Sequence, residues 1–230
     1  HWFDYVEQRA HGWPESDASH PFYATWWSGC GISIHGGVRS FAHVDVGAEN
    51  NGLRTPQLME GACYAWNLWH HDQDQHLVRR LVRGLSSWPL AMQRTSAPET
   101  GLTCRAAYPA SVHDGDRNID LDYDPNRPGV DGGASYFVHV PDNPSWGDLY
   151  VQAKRSKDDM GHILRGLAAM EACDGAFTEA GAQDDLVEAR RLYQEWAQRV
   201  EMEGFHISTY DASLAVVQPS GDLATYFVAG

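Results

Sequence analysis

The amino-acid sequence predicts a mainly α fold, built from antiparallel helix hairpins and interrupted by a long irregular insertion. Apolar residues recur at helical spacing in two pairs of segments, and only a few residues separate the members of each pair. Such short connections favour antiparallel packing. Between the two pairs, residues 95–152 are rich in Pro, Gly and Asp and show little helical periodicity. Because the chain has 230 residues, we expect a single domain over 1–230.

The first pair of predicted helices spans residues 55–71 and about 74–85. Thr55 is a suitable N-cap, and Pro56 suits the first helical turn. Each helix has apolar residues on one face, which we expect to be buried. In the first helix they are Leu58, Ala62, Trp66 and Trp69, with Met59 and Cys63 beside them, and in the second they are Leu77, Val78, Leu81, Val82 and Leu85.

The second pair of predicted helices spans residues 158–173 and 183–203. Asp174 and Gly175 follow the first of these helices, and Gly204 follows the second. Glycine just past the last helical residue is a common end signal. The expected buried residues are Met160, Ile163, Leu164, Leu167 and Met170 in the first helix, and Leu186, Tyr193, Trp196 and Val200 in the second.

The insertion between the pairs contains an acidic run that predicts a calcium site. Oxygen-bearing side chains occupy alternate positions, at Asp114, Asp116, Asn118, Asp120 and Asp122. Hard divalent cations prefer such ligands, and a bound Ca²⁺ would order the insertion. The run departs from an EF-hand loop at Ile119 and Pro125. A looser calcium loop and a solvated acidic turn both remain open.

Charge and hydropathy exclude two classes of partner. Lys and Arg number 17 against 31 Asp and Glu, which gives a formal net charge of −14. Such a surface repels phosphate backbones, so we expect no nucleic acid partner. No apolar run approaches the roughly 20 residues of a membrane-spanning helix. The chain begins with His1 and ends in an apparent helix start, so we expect it to be a piece of a longer protein.

Four cysteines leave two interpretations open. An even number in an exported protein permits two disulfides, whereas the alternative is four buried thiols. The positions of Cys63 and Cys173 within helical patterns favour thiols for those two residues. We expect a secreted, periplasmic or cell-surface protein.

Two short segments resemble loop-to-helix junctions of the α/α-toroid proteins, which include many glycoside hydrolases and polysaccharide lyases. They are 154–167, with the sequence KRSKDDMGHILRGL, and 50–58, with the sequence NNGLRTPQL. The resemblance implies that the helix hairpins form part of a toroid. It also implies that the start of the helix at 158 faces a cleft for carbohydrate.

The candidate catalytic residues are Asp158, Asp159 and His162. Their spacing of three and four residues places them on one helical face, where a carboxylate and an imidazole can act as an acid–base pair. The alternative, which the sequence favours, is that the two aspartates cap the helix. Candidate sugar-stacking residues are the tryptophans predicted in loops, Trp26, Trp27 and Trp146.

Two functions follow from these residues. One is an exported carbohydrate-active or glycan-binding protein with a calcium-stabilised loop. The other is a non-enzymatic, calcium-stabilised extracellular protein that associates with copies of itself. The sequence contains no nucleophile elbow and no HExxH motif, so whether the protein is an enzyme stays open.

Overall fold

The computed structural model describes residues 29–35, 38–45, 51–109, 137–152, 157–211 and 213–218. Over this part of the chain the protein is mainly helical, as predicted. The helices are α1 (Asn51–Trp69), α2 (Asp72–Ala91), α3 (Lys157–Ala172), α4 (Gly175–Glu179) and α5 (Gln183–Met202). The strands are β1 (Gly29–His35), β2 (Val38–Asp45), β3 (Ala106–Pro109), β4 (Phe137–Asn143), β5 (Gly147–Gln152), β6 (Thr209–Tyr210) and β7 (Val216–Val217).

The hydrophobic core lies where the long helices meet. Helix α2 packs against α1 and α5, and α1 packs against α3. The predicted apolar faces of α2 and α5 are confirmed, since each of their residues is buried. Burial of this apolar surface is the main favourable term that holds the helices together.

Two large apolar residues predicted in the core are instead exposed. Trp69 is the last residue of α1, and its side chain is 58% exposed. The chain leaves the helix at His70, which adopts a left-handed φ of 52°. Leu164 on α3 is 42% exposed. Arg80 of α2 is a charged residue outside the predicted apolar face, yet it is buried.

Residues 95–152 are less irregular than the sequence predicted. They contribute a three-stranded antiparallel sheet in the order β3-β5-β4. Alternate residues of β4 and β5 face the core, where Val138, Val140, Leu149 and Val151 are buried. Strand β4 overlaps residues 136–140, whose sequence YFVHV favours a short strand, whereas β3 and β5 were not predicted. The signal for β5 was present, since Leu149 and Val151 alternate with polar or half-polar neighbours.

The buried side chain of Asn143 joins the sheet to the end of α2. Its Nδ2 donates hydrogen bonds to the carbonyls of Leu90 at 2.8 Å and Gln93 at 3.0 Å. Its Oδ1 accepts from the backbone N–H groups of Ser145 and Trp146, each at 3.0 Å. This amide therefore uses its full hydrogen-bonding capacity. The Leu90 carbonyl that it bonds also accepts from the Gln93 N–H at 3.1 Å.

Two further pairs of strands complete the described part of the chain. Strand β1 pairs with β2, and β6 pairs with β7, both in antiparallel register. Neither pair was predicted from the sequence. None of the helices in the described ranges is long and apolar enough to cross a membrane.

Candidate functional site

The contact between α1 and α3 forms a groove on the protein surface. Glu60 forms an ion pair with Arg165, and Asn67 donates a hydrogen bond to the carbonyl of Ala172. Residue numbers therefore increase in the same direction along both helices. The two helices therefore run parallel. Gly166 allows this close approach, because a methyl group placed on it would lie 2.6 Å from the Cβ of Pro56.

A disulfide between Cys63 and Cys173 joins α1 to the residue that follows α3. Their Cα atoms are 5.5 Å apart, although 110 residues separate them in sequence. The preference for two thiols at these positions was therefore wrong. Helical placement does not prevent a disulfide when two helices pack side by side and their Cβ atoms face each other. Cys104 remains a buried thiol, and its Sγ donates to the carbonyl of Trp88 at 3.3 Å.

The groove beside the disulfide has a volume of about 200 Å³. Tyr64 and Asn67 of α1 line one side, and small alanine side chains of α3 line the other. Tyr64 is 64% exposed, and Asn67 donates to the carbonyl of Ala172 at 3.2 Å. Across the groove, Arg165 Nε lies 2.8 Å from Glu60 Oε2. The arrangement provides an aromatic ring next to charged hydrogen-bonding groups.

The candidate catalytic residues lie in the first two turns of α3. His162 is partly buried, and its Nδ1 is 3.4 Å from the Nε2 of Gln57. This contact places His162 at the same helix contact as the groove. The side chains of Asp158 and Asp159 lie outside the described part of the structure, so their pairing with His162 stays a prediction.

The candidate sugar-stacking tryptophans have different positions. Trp26 and Trp27 fall outside the described residues. Trp146 lies in the turn between β4 and β5, where it is partly buried and packs against the core. The exposed aromatic side chains among the described residues are Tyr64, Trp69 and Phe205. The sequence did not single out Tyr64 or Phe205, and it predicted that Trp69 is buried.

A second polar cluster, absent from the sequence predictions, lies on the open face of the sheet. His139 Nε2 is 2.5 Å from Asp148 Oδ1. The imidazole also stacks on Tyr150, with ring centroids 4.7 Å apart and planes inclined by 21°. The side chains of His139 and Asp148 are 47% and 56% exposed. Recognising β5 as a strand would have revealed this cluster, because alternation places Asp148 and Tyr150 on one face.

The predicted calcium ligands Asp114, Asp116, Asn118, Asp120 and Asp122 lie outside the described residues. They belong to the connection between β3, which ends at Pro109, and β4, which begins at Phe137. Within the described ranges, no group of three or more His, Cys, Asp or Glu side chains is arranged to hold a metal ion.

Comparison with models of known protein families, with curated proteins and with solved structures found no match to this chain.

Proposed function

We propose that this protein is an exported glycan-binding protein, and that the groove between α1 and α3 takes a single sugar unit. The observation that carries this proposal is the exposed ring of Tyr64 beside Glu60, Asn67 and Arg165. Sugars offer an apolar ring face and a rim of hydroxyl groups, which match an aromatic ring flanked by charged and amide side chains. The volume of about 200 Å³ is below that of most sites for larger ligands, so it suits one small ring.

The disulfide supports export. Disulfides persist in secreted, periplasmic and cell-surface proteins, whereas cytosolic thiols are kept reduced. The Cys63–Cys173 bond borders the groove, so an oxidising compartment would preserve the groove's geometry. Peptide mapping under non-reducing conditions should recover these two cysteines in one cross-linked peptide, and separate thiol peptides would contradict the assignment.

The toroid arrangement belongs to the same proposal. In an α/α toroid, like helices of neighbouring hairpins pack side by side in parallel. The parallel contact of α1 and α3 supports such an arrangement, with α2 and α5 as the second layer. In this arrangement, Asp158, Asp159 and His162 are the proposed acid–base residues at the helix start. Chemical cleavage would appear as new reducing ends or unsaturated products and would be lost in the Asp158→Asn variant.

The calcium loop is proposed as a stabilising element rather than as the site of binding. The ligands would be Asp114, Asp116, Asn118, Asp120 and Asp122, which lie between β3 and β4 in the sequence. Calcium binding to the folded state alone would raise the melting temperature. Thermal melts in excess Ca²⁺ and in chelator test this, and identical melting temperatures would refute it.

Titration calorimetry with a panel of oligosaccharides tests glycan binding. The panel contains neutral hexose chains and uronic-acid chains. We expect the Tyr64→Ala variant to lose about tenfold in affinity, because it removes the stacking surface. Val187→Ala is the matched control, since Val187 is 58% exposed on α5 outside the groove lining. No binding to any member of the panel, or equal effects of the two variants, would overturn the proposal.

A second candidate function is self-association. Tyr64, Leu68 and Trp69 on α1 and Leu164 on α3 are large apolar residues exposed on the two helices that form the groove. Exposed apolar patches often mark protein interfaces. Sedimentation equilibrium of the wild type and the Leu68→Glu variant distinguishes the candidates. A dimer that the substitution dissociates would favour assembly, and a monomer in both would remove this candidate.

A further inference from the structure

The groove between α1 and α3 has no net charge, although the whole chain carries −14. Glu60 and Arg165 are the charged side chains among the described residues that line it. Their closest atoms, Arg165 Nε and Glu60 Oε2, are 2.8 Å apart. The two charges therefore cancel within the groove.

The ion pair leaves further hydrogen-bonding groups beside Tyr64. A guanidinium carries five N–H donors in a planar fork, and the contact with Glu60 involves the Nε group. The carboxylate of Glu60 has a second oxygen that can accept. A donor and an acceptor held next to each other match two neighbouring hydroxyl groups of a sugar ring.

An anionic sugar faces two costs that an uncharged sugar avoids. Its carboxylate would join that of Glu60 at one guanidinium, so two negative charges would share a single cation. Because the Glu60 side chain is only 20% exposed, water screens the repulsion between the two carboxylates less than it would at an open surface. The net charge of the surrounding protein adds a repulsion that salt only partly screens.

We propose that the Glu60–Arg165 pair selects uncharged sugars with vicinal hydroxyl groups and rejects uronic acids. The proposal rests on glycan binding in the groove and adds the class of ligand. Glu60 acts as the selectivity residue, because its charge already neutralises that of Arg165 and repels a uronate carboxylate.

The test compares affinities for neutral hexose oligosaccharides and for uronic-acid oligosaccharides, at low and high ionic strength. The wild type should bind a neutral chain at least about tenfold more tightly, with little effect of salt. Glu60→Gln keeps the shape of the side chain and frees Arg165. It should weaken neutral binding by about tenfold and strengthen uronate binding by about tenfold. Glu188→Gln removes the same charge on α5, where Glu188 pairs with Arg191, and should change neither affinity.

Each outcome supports or overturns one part of the proposal. Tighter binding of uronates by the wild type would overturn the selectivity while leaving glycan binding in place. Binding of neither class would overturn glycan binding itself. A Glu60→Gln variant that folds by circular dichroism but gains no uronate affinity would overturn the role of Glu60. If that variant does not fold, Arg165→Gln replaces it, and unchanged neutral binding there would overturn the pair's role.

Discussion

The α1–α3 contact and the sheet of β3, β5 and β4 each present a carboxylate paired with a basic side chain. In the helix contact the pair is Glu60 with Arg165, and it borders a groove closed by a disulfide. On the sheet the pair is His139 with Asp148, and both side chains are about half exposed. In both pairs a nitrogen of the basic side chain lies within hydrogen-bonding distance of a carboxylate oxygen.

The two pairs differ in the exposure of one member: the side chain of Glu60 is 20% exposed, against 59% for Arg165 and about half for His139 and Asp148. A ligand on the sheet would remain largely in water, where ion pairs contribute little. A ligand in the groove would lose water on several sides and gain contacts with Tyr64 and the helix walls. The disulfide and the close packing of Gly166 on Pro56 also hold the two helices together. A ligand in the groove would therefore find the polar groups already in position.

Among the substitutions that compare these two regions, removal of the disulfide should lower the free energy of unfolding the most. Because it joins residues 110 apart, the Cys63→Ala/Cys173→Ala variant should lose about 4–5 kcal/mol of unfolding free energy by the chain-entropy estimate. Urea denaturation measures the loss, and chemically reduced wild type should show a similar one. Cys104→Ala, which removes a buried thiol without opening a loop, should cost much less. If Cys104→Ala lost as much unfolding free energy as the double variant, the cross-link would not constrain the helix contact.

Substitution at the close approach of α1 and α3 should have the next largest effect. Gly166→Ala would place a methyl group 2.6 Å from Pro56 Cβ and cost about 1–3 kcal/mol of unfolding free energy. Gly161 lies in the same helix, and no described atom would meet its added methyl group within 4 Å. Gly161→Ala should therefore stabilise the protein by about 0.5–1 kcal/mol. A lower melting temperature for Gly166→Ala and a higher one for Gly161→Ala would support the close packing. Shifts in the same direction for both variants would contradict it.

The effect of one buried carboxyl group, that of Asp74 on α2, on the stability of the fold should depend on pH. Asp74 is 2% exposed, and no described group bonds its Oδ2. Burial raises the pKa of its carboxyl, with a smaller opposing effect from His71. Since the folded pKa lies above the unfolded value, ionisation destabilises the fold as the pH rises. Asp74→Asn should therefore stabilise the protein by about 1 kcal/mol at neutral pH.

The pH dependence of this gain provides its check. The gain should fade as the pH falls through the raised pKa and vanish below the unfolded value of about 3.9. Asp72→Asn is the control, because Asp72 is exposed in the first turn of the same helix and stabilises it through the helix dipole. This control should be slightly destabilised at neutral pH. A gain for Asp74→Asn that persists in acid would contradict the explanation.

The sheet pair should have the smallest effect. His139→Ala and Asp148→Asn should each change the unfolding free energy by less than about 1 kcal/mol, because both groups are half exposed. Chemical denaturation at pH 7 measures this. A loss comparable to that from Gly166→Ala would remove the distinction between the two regions.

The long helices could be predicted because the residues that they bury recur at helical spacing within each segment. The apolar face of α2, from Leu77 to Leu85, repeats at helical spacing and is buried throughout. The strands β1 and β2 could have been found from the two glycines at positions 36 and 37, a composition typical of tight hairpin loops. The end of α2 was predicted too early, since the helix continues to Ala91 through Pro89.

The groove could not be predicted because it depends on which helices meet. Periodicity showed that Tyr64 lies off the apolar face of α1, but not that α3 would lie beside it. Likewise Cys63 and Cys173 are both on apolar faces, and only the parallel contact brings them together. Contacts between distant segments leave no periodic signal in either segment alone.

The parallel contact of α1 and α3 has a consequence for synthesis of the chain. Its hydrogen-bonded partners, Gln57 with His162 and Asn67 with Ala172, are each separated by 105 residues. At about 5–20 residues per second, a ribosome needs roughly 5 to 20 s to make that length of chain. During this interval α1 lacks the helix against which it packs, and Cys63 lacks Cys173. The contact of α1 with α3, and the disulfide, can therefore form only after residue 173 has been synthesised.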